Sequence, residues 1–385
     1  MTINAPKGFR AAGVAAGIKE SGNKDLTLVV NDGPLDVAAG VFTRNKVKAA
    51  PVLWSQQVLA TGRVKAVVLN SGGANACTGP EGFQDTHATA EHVAETLGIG
   101  AVDVAVCSTG LIGERLPMGK LKAGVTAAAA QLADTKEAGV DAATAVMTTD
   151  TVPKHAESVQ DGWALGGFAK GAGMCAPNMA TMLAVITTDA VVEQSDVDAA
   201  LRAAVNVTFN ALDVDGGTST NDTVLLLCSG ASGKSVPLDE FTDALTDLCR
   251  DLVAQLQADA EGVTKHVTIT VHGAATDAEA HAAAQTIARD SLCKTAFFGS
   301  DPNWGRVAMA VGNAPTDFDQ AKLDITINGV EVCVAGGAGE DRSKADLSGR
   351  DITVEVDLHA GHGSATVLTT DLSHGYVEEN SAYSS

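Results

Sequence analysis

The chain has 385 residues, enough for two or three domains at roughly 150 residues each, and its 45% hydrophobic content can fill a large core. Its 26 Lys+Arg against 47 Asp+Glu give a net charge of -21, which argues against nucleic acid and anionic membranes as partners, because both require a basic face. No apolar run approaches the ~18 residues needed to cross a bilayer, and the N-terminus has no apolar signal core.

In chain order, 26–30 and 64–69 read as strands from their β-branched content. Residues 70–79 read as a glycine-rich loop, and alanine-rich helices are predicted over 84–97 and 118–147. Between them, a strand at 102–107 exits into the small polar turn 108–113. Residues 170–183 form a run of small residues that reaches Thr181, at the head of an apolar strand ending at Thr188. Ser195 is the expected N-cap of a helix to about 209. A glycine- and threonine-rich loop, 213–222, then leads to a short buried strand at 224–228. Phe241, Leu245, Leu248, Leu252 and Leu256 recur at helical spacing, which predicts a long amphipathic helix over 238–260. Strand 267–272 and helix 276–290 follow, the latter opened by a Thr276/Glu279 capping box. The last part reads as β. Asn328-Gly329 joins 323–327 to 330–334 as a type I′ hairpin, and Ile352, Val354, Val356 and Leu358 alternate with polar residues. There is no internal repeat and no proline-rich linker.

Several motifs fail on closer reading. Ser232-Gly-Lys-Ser235 ends like a phosphate-binding loop, but Cys228 stands where that loop needs glycine. Gly171 to Ala176 matches G-x-G-x-x-A, and Pro177 contradicts the helix such a site requires. Asp213 and Asp215 open like a calcium loop, with Gly217 at a ligand position. His359 and His362 sit in a glycine loop without metal spacing, so no metal or organic cofactor is expected. Seven scattered cysteines, with no C-x-x-C pair, point to reduced thiols and the cytoplasm.

Thr181 carries the chemistry that remains. A threonine hydroxyl is a poor nucleophile unless a base takes its proton, and a free α-amine on the same residue can be that base. An internal threonine acquires one only if the chain breaks before it. Attack of the Thr181 hydroxyl on the Ala180 carbonyl, then hydrolysis of the ester, would do so. By pattern alone, Thr181 fits better as the ordinary opening residue of a buried strand, since β-branched residues commonly open strands.

The motifs Lys170-Gly-Ala-Gly-Met and Pro177-Asn-Met-Ala-Thr-Met-Leu183 resemble those of the ornithine acetyltransferase (glutamate N-acetyltransferase) family of arginine biosynthesis. So do Phe42 to Asn45, Asn70 to Gly79, Cys107 to Gly113, Met147 to Thr151, Thr218 to Asp222, Gln257 to Gly262, Gly299 to Arg306 and Asn380 to Ser385. Gly73 and Cys175 depart from the usual family residues. The resemblance implies an α/β fold: a layered α/β core with N-terminal-nucleophile-like geometry, plus a smaller C-terminal β-rich α+β domain. It divides the chain into an α chain (1–180), a first part of the β chain completing the core (181–275), and a β-rich domain (276–385). It also implies cleavage between Ala180 and Thr181, with Thr181 then acting as the acetyl-accepting nucleophile. Thr109 and Gly110 match the oxyanion pair, and Thr148, Lys170, Thr181, Glu261, Asn380 and Ser385 match substrate contacts. The implied donor is N2-acetyl-L-ornithine and the acceptor L-glutamate, in a heterotetramer of two α and two β chains. Acetyl-CoA, used by some members, stays open as a second donor. A self-processing amidase or aminopeptidase of similar fold is the alternative.

Overall fold

The computed structural model describes residues 2–174 and 182–382. Among them, the strands of the first part are β1 (Phe9–Val14), β2 (Leu26–Asn31), β3 (Val37–Phe42), β4 (Ala66–Ser71), β5 (Val104–Thr109), β6 (Lys154–Val159), β7 (Ala164–Lys170), β8 (Leu183–Thr188) and β9 (Thr223–Cys228). The accompanying helices are α1 (Ala50–Leu59), α2 (Gly79–Leu97), α3 (Met118–Ala130), α4 (Lys136–Ala145), α5 (Gln194–Val207) and α6 (Leu238–Ala258). Two sheets result, one in the order β1-β2-β4-β5 and one in the order β3-β9-β8-β7-β6. Each holds one parallel pair, β4/β5 and β8/β9. A parallel pair needs a crossover, and α2 and α5 lie within the two connections.

The sheets share a core. Leu28, Val67, Leu69 and Val106 from the first sheet cluster with Phe168, Leu183, Val185, Leu225 and Leu227 from the second. Ala90 and Val93 of α2, Leu121 and Val125 of α3, and Ala142 of α4 extend the same cluster. Helix α6 lies on the second sheet, where Phe241 meets Trp163 and Gln255 is hydrogen-bonded to the His155 backbone of β6.

The described residues divide into two compact units. One runs to Asn210 and includes Thr218–Leu256; the other takes Ala211–Gly217 and the described residues from Gln257 onward. The second unit contains β10 (His266–Ala274), β11 (Asp324–Ile327), β12 (Val330–Val334), β13 (Gly337–Ala338), β14 (Asp351–Asp357) and β15 (Gly363–Thr370), with α7 (Asp277–Arg289), α8 (Ser291–Phe298), α9 (Trp304–Gly312) and α10 (His374–Ala382). Its strands form one sheet in the order β13-β12-β11-β14-β10-β15. Val267, Ile269 and Val271 of β10 and Ile352, Val354 and Val356 of β14 point inward against Ala280, Ala284 and Ile287 of α7. This half-covered sheet explains the clean alternation seen in the sequence. The sheet also places β10 in the same unit as the strands after 276, whereas the expected division falls at 275/276.

The mixed α/β architecture with layered sheets matches the expected fold class. Other elements differ. The helix expected over 118–147 is two, because the residues between α3 and α4 are used otherwise. Ala133 exchanges backbone hydrogen bonds with Ala11 of β1, and Thr135 caps α4 through the Ala138 N–H. Helix α2 starts at Gly79 with Pro80 in its first turn, earlier than expected. Glu193, not Ser195, holds the N-cap position of α5. Thr276 does cap α7, through the Glu279 N–H, and Asn328 and Gly329 take the positive φ values of the predicted hairpin. No described helix is long and apolar enough to cross a membrane.

Gly13 marks the closest approach of β1 to α4: a Cβ there would lie 2.0 Å from the Asp141 carbonyl oxygen. Gly13→Ala must push β1 and α4 apart. It is expected to cost ~2–3 kcal/mol and lower the melting temperature by roughly 5–10 °C, measured by calorimetry.

Candidate functional site

The carboxyl ends of β4 and β5 lie side by side, with Ser71 paired to Thr109. Immediately beyond, Gly110 has φ +124°, and a Cβ on it would sit 2.5 Å from the Gly73 nitrogen. Only glycine allows the two loops to meet this closely. The Gly73 N–H then donates to the Thr109 carbonyl at 2.9 Å. Side chains lock the same loops. Ser108 Oγ donates to Asn70 Oδ1 at 2.6 Å, Asn70 Nδ2 donates to the Gly73 carbonyl at 3.0 Å, and Asn221 Nδ2 donates to the Ala74 and Ser108 carbonyls. Thr109 and Gly110 are thereby held with little freedom.

The second sheet supplies the facing groups. Lys170 ends β7 opposite Leu183, which opens β8, and Leu183 is paired to Thr223, which opens β9. Lys170 is 1% exposed; its Nζ donates to Thr148 Oγ1 at 2.8 Å and to Thr109 Oγ1 at 3.4 Å. Asp150 Oδ2 lies 4.0 Å from the same Nζ. Asp150 is engaged more closely by Lys154 Nζ at 2.6 Å, by the Gly171 N–H at 2.7 Å and by the Thr148 N–H at 3.0 Å. Burial alone would raise the Asp150 carboxyl, but Lys170, Lys154 and the Gly171 N–H outweigh it and bring it down to about 2. An ionised carboxylate thus ties together the two backbone segments that carry Thr148 and Lys170.

The other flank of the 170–183 stretch is anchored too. The Met182 N–H donates to Asp222 Oδ1 at 2.9 Å, and the Thr223 N–H donates to the Met182 carbonyl at 3.1 Å. In the second unit, Glu261 is 7% exposed and accepts from Asn380 Nδ2 at 2.8 Å. The terminal helix is seated on this turn: a Cβ on Gly262 would lie 2.0 Å from the Tyr376 nitrogen.

Of the sequence-predicted site residues, Thr109, Gly110, Thr148 and Lys170 occur together in the first unit, and Glu261 and Asn380 meet in the second. Ala180, Thr181 and Ser385 lie outside the described residues. Sequence reasoning missed Asp150, Lys154, Asn70, Asn221 and Asp222 as site builders. All but Lys154 stand in stretches already quoted for the family resemblance, and that was the available signal.

The ArgJ family model matches residues 10–385. An arginine biosynthesis bifunctional protein ArgJ from Mycolicibacterium paratuberculosis is 62% identical over all of this chain and 96% of its own length. The protein of the same name from Streptomyces coelicolor is 58% identical over the whole of both chains. The chain belongs to the ArgJ family. Among solved structures, ornithine acetyltransferase complexed with ornithine, from Mycobacterium tuberculosis, is 63% identical over 46% of this chain and 96% of its own, with a TM-score of 0.46. The ArgJ protein of Bacillus halodurans is 35% identical over 51% of this chain and 97% of its own, with a TM-score of 0.49.

Because Asp150 titrates lower in the folded chain than its ordinary value of 3.8, its ionised form stabilises the fold above that value. This contribution disappears as pH falls through about 2. Asp150→Asn leaves the buried lysines without it and is expected to destabilise by ~3–5 kcal/mol at pH 7. In denaturant melts, the gap between variant and wild type should narrow as pH falls from about 4 to about 2. A gap independent of pH would remove the charge explanation.

Proposed function

We propose that the chain is a glutamate N-acetyltransferase that cleaves itself before Thr181 and then carries acetyl from N2-acetyl-L-ornithine to L-glutamate on that threonine. The observation that carries the reading is the buried Lys170 ammonium, which spans two threonine hydroxyls from different segments. Thr109 accepts a hydrogen bond from Lys170, so its own O–H proton is left to donate. With the Gly110 N–H, that proton would face the oxygen that becomes negative during acyl transfer. The rigid loops around Thr109 suit this role, since such donors work by being fixed beforehand.

In the processing step, the Thr181 hydroxyl attacks the Ala180 carbonyl and the peptide C–N bond breaks. Water then hydrolyses the ester, leaving a carboxylate on Ala180 and a free amine on Thr181. In the transfer, that amine accepts the hydroxyl proton while the oxygen attacks the acetyl carbonyl. Ornithine departs with its α-amine protonated from the same source. The glutamate amine then attacks the acetyl ester, N-acetylglutamate leaves, and the threonine hydroxyl is restored. Two half-reactions through one covalent intermediate imply ping-pong kinetics.

Lys170 and Thr148 suit the α-carboxylate of an amino acid, and the family resemblance assigns a substrate contact to Glu261, which accepts from Asn380. The 63% identical relative solved with ornithine supports a substrate of that kind, and the bifunctional naming of the curated relatives supports acetyl-CoA as a further donor. The six described cysteines are free, which fits a cytoplasmic setting. Two α and two β chains per molecule are the assembly that the family resemblance implies.

Denaturing electrophoresis of the wild type should show two bands, each roughly half of 39.0 kDa, and Thr181→Ala should run as one band with no transfer of acetyl to glutamate. Turnover by that variant would remove the nucleophile assignment. Thr109→Val should cleave more slowly and lose about 10²–10³ in kcat, read with acetylornithine and glutamate as substrates. Hydrolysis of acetylornithine faster than acetyl transfer to glutamate would favour the amidase instead.

A further inference from the structure

The loop before β2 brings a second ammonium to the edge of the first unit's site. Asp25 is fully buried and accepts three backbone N–H groups, from Ala16 at 2.6 Å, Ile18 at 2.6 Å and Lys19 at 2.9 Å. Charge-assisted bonds of this kind fix the loop around the carboxyl group. The side chain of Lys19 then crosses Gly72, where a Cβ would lie 3.1 Å from Lys19 Cγ. Gly72 in turn borders the Thr109–Gly110 turn, since a Cβ on Gly110 would lie 2.7 Å from the Gly72 carbonyl carbon. Lys19 Nζ donates to the Met147 carbonyl at 2.6 Å and to the Lys24 carbonyl at 3.3 Å. Met147 precedes Thr148, whose hydroxyl accepts from Lys170 at 2.8 Å. Successive Cα atoms are only ~3.8 Å apart, so Lys19 and Lys170 bind neighbouring residues of one segment.

The Lys19 ammonium is poorly compensated where it sits. It has three N–H donors, and its hydrogen bonds among the described residues go to two neutral carbonyls. Asp25, the carboxyl group that acts on it most, spends both oxygens on backbone N–H groups. Burial lowers the Lys19 ammonium from its ordinary value and Lys170 adds to that, against Asp25 and Asp150. A half-buried cation in this state gains from an anion brought to its third N–H. We propose that Lys19 determines the choice of acetyl acceptor: its third N–H binds the side-chain carboxylate of L-glutamate while Lys170 and Thr148 hold the α-carboxylate. This rests on the transferase reading given above. Glutamate is the substrate with two carboxylates, and two ammonium groups on one segment match them. Ornithine has one carboxylate and a distal ammonium, which Lys19 repels, so the same residue favours one amino acid and disfavours the other.

In ping-pong turnover the two half-reactions can be read separately. For Lys19→Met, kcat/KM for L-glutamate is expected to fall about 10–100-fold, while kcat/KM for L-glutamine, its neutral analogue, changes by less than about 3-fold. Exchange of label between N2-acetyl-L-ornithine and L-ornithine runs without glutamate and should stay within about 3-fold of wild type. Thr148 and Lys170 serve both half-reactions, so a Lys19 that only anchored Met147 would depress exchange and transfer alike. An equal loss for glutamine or for the exchange, or an unchanged kcat/KM for glutamate, overturns the proposal. So does a wild type that accepts glutamine as readily as glutamate. If Lys19→Met does not fold, Lys19→Gln, which keeps a donor for the Met147 carbonyl and removes the charge, is measured with the same expectation and the same overturning results. The wild type, assayed in parallel, keeps the two levels apart. If it neither cleaves nor transfers acetyl, the transferase reading itself fails; if it does both and the variant matches it, only the role of Lys19 is lost.

Discussion

One buried carboxylate organises the first unit's site. Asp150 takes two backbone N–H groups and two ammonium groups into a volume closed to water. Ion pairs of this kind are sensitive to the loss of either partner, because the survivor stays buried without compensation. Lys154 sits much closer to Asp150 than Lys170 does, so Lys170 keeps its direct contacts for hydroxyl groups. In a chain of net charge -21, this is a local reversal of sign inside an acidic molecule. An anionic amino-acid end can gain there what the overall field would withhold.

The scaffold explains why these groups converge. In the first sheet, the site residues leave the carboxyl ends of the parallel pair β4/β5, the usual place for a crevice in such sheets. In the second sheet, the site lies at the end of β7 and at the beginnings of β8 and β9. The two sheets share a core, and Lys170 reaches from one to the other to touch Thr109. Asn221, one residue before Asp222, ties the strand-exit loops of the first sheet to the head of β9. Packing, side-chain amides and the ammonium therefore fix the same junction by independent means.

Amphipathic and turn signals were legible in the sequence because they are local. The Thr276 cap, the Asn328-Gly329 turn and the alternation along β14 each need only a few neighbouring residues. Strand β7 was not legible: Gly166 and Gly167 lower its β signal, yet a Cβ on Gly166 would lie 2.2 Å from the Thr2 carbonyl oxygen and one on Gly167 3.1 Å from that of Val185. The break between α3 and α4 was hidden for a related reason, since Ala133 leaves the helix to pair with Ala11 far back in the chain. Of the site, the family motifs pointed to Thr109, Thr148 and Lys170. The charge partner Lys154 stands in an unremarkable strand, and its place beside Asp150 exists only after β6 has paired with β7.

The stretch around Thr181 is bracketed by two aspartates in opposite electrostatic states. On the upstream side, Asp150 holds the Gly171 N–H and is kept ionised by two lysines. Downstream, Asp222 holds the Met182 N–H, and burial favours its neutral form. Both do the same mechanical task, so the difference asks for another reason. Asp150 has Lys154 and Lys170 close by and the Gly171 N–H bound to it, which together outweigh its burial and keep it charged. Asp222 is buried with the Met182 N–H as its backbone donor and with Lys170 acting on it from beyond hydrogen-bond distance, so the cost of burial prevails. The placement of the lysines, close to Asp150 and away from hydrogen-bond contact with Asp222, sets the two apart. Backbone anchoring and charge state are thus set by different neighbours of the same two residues.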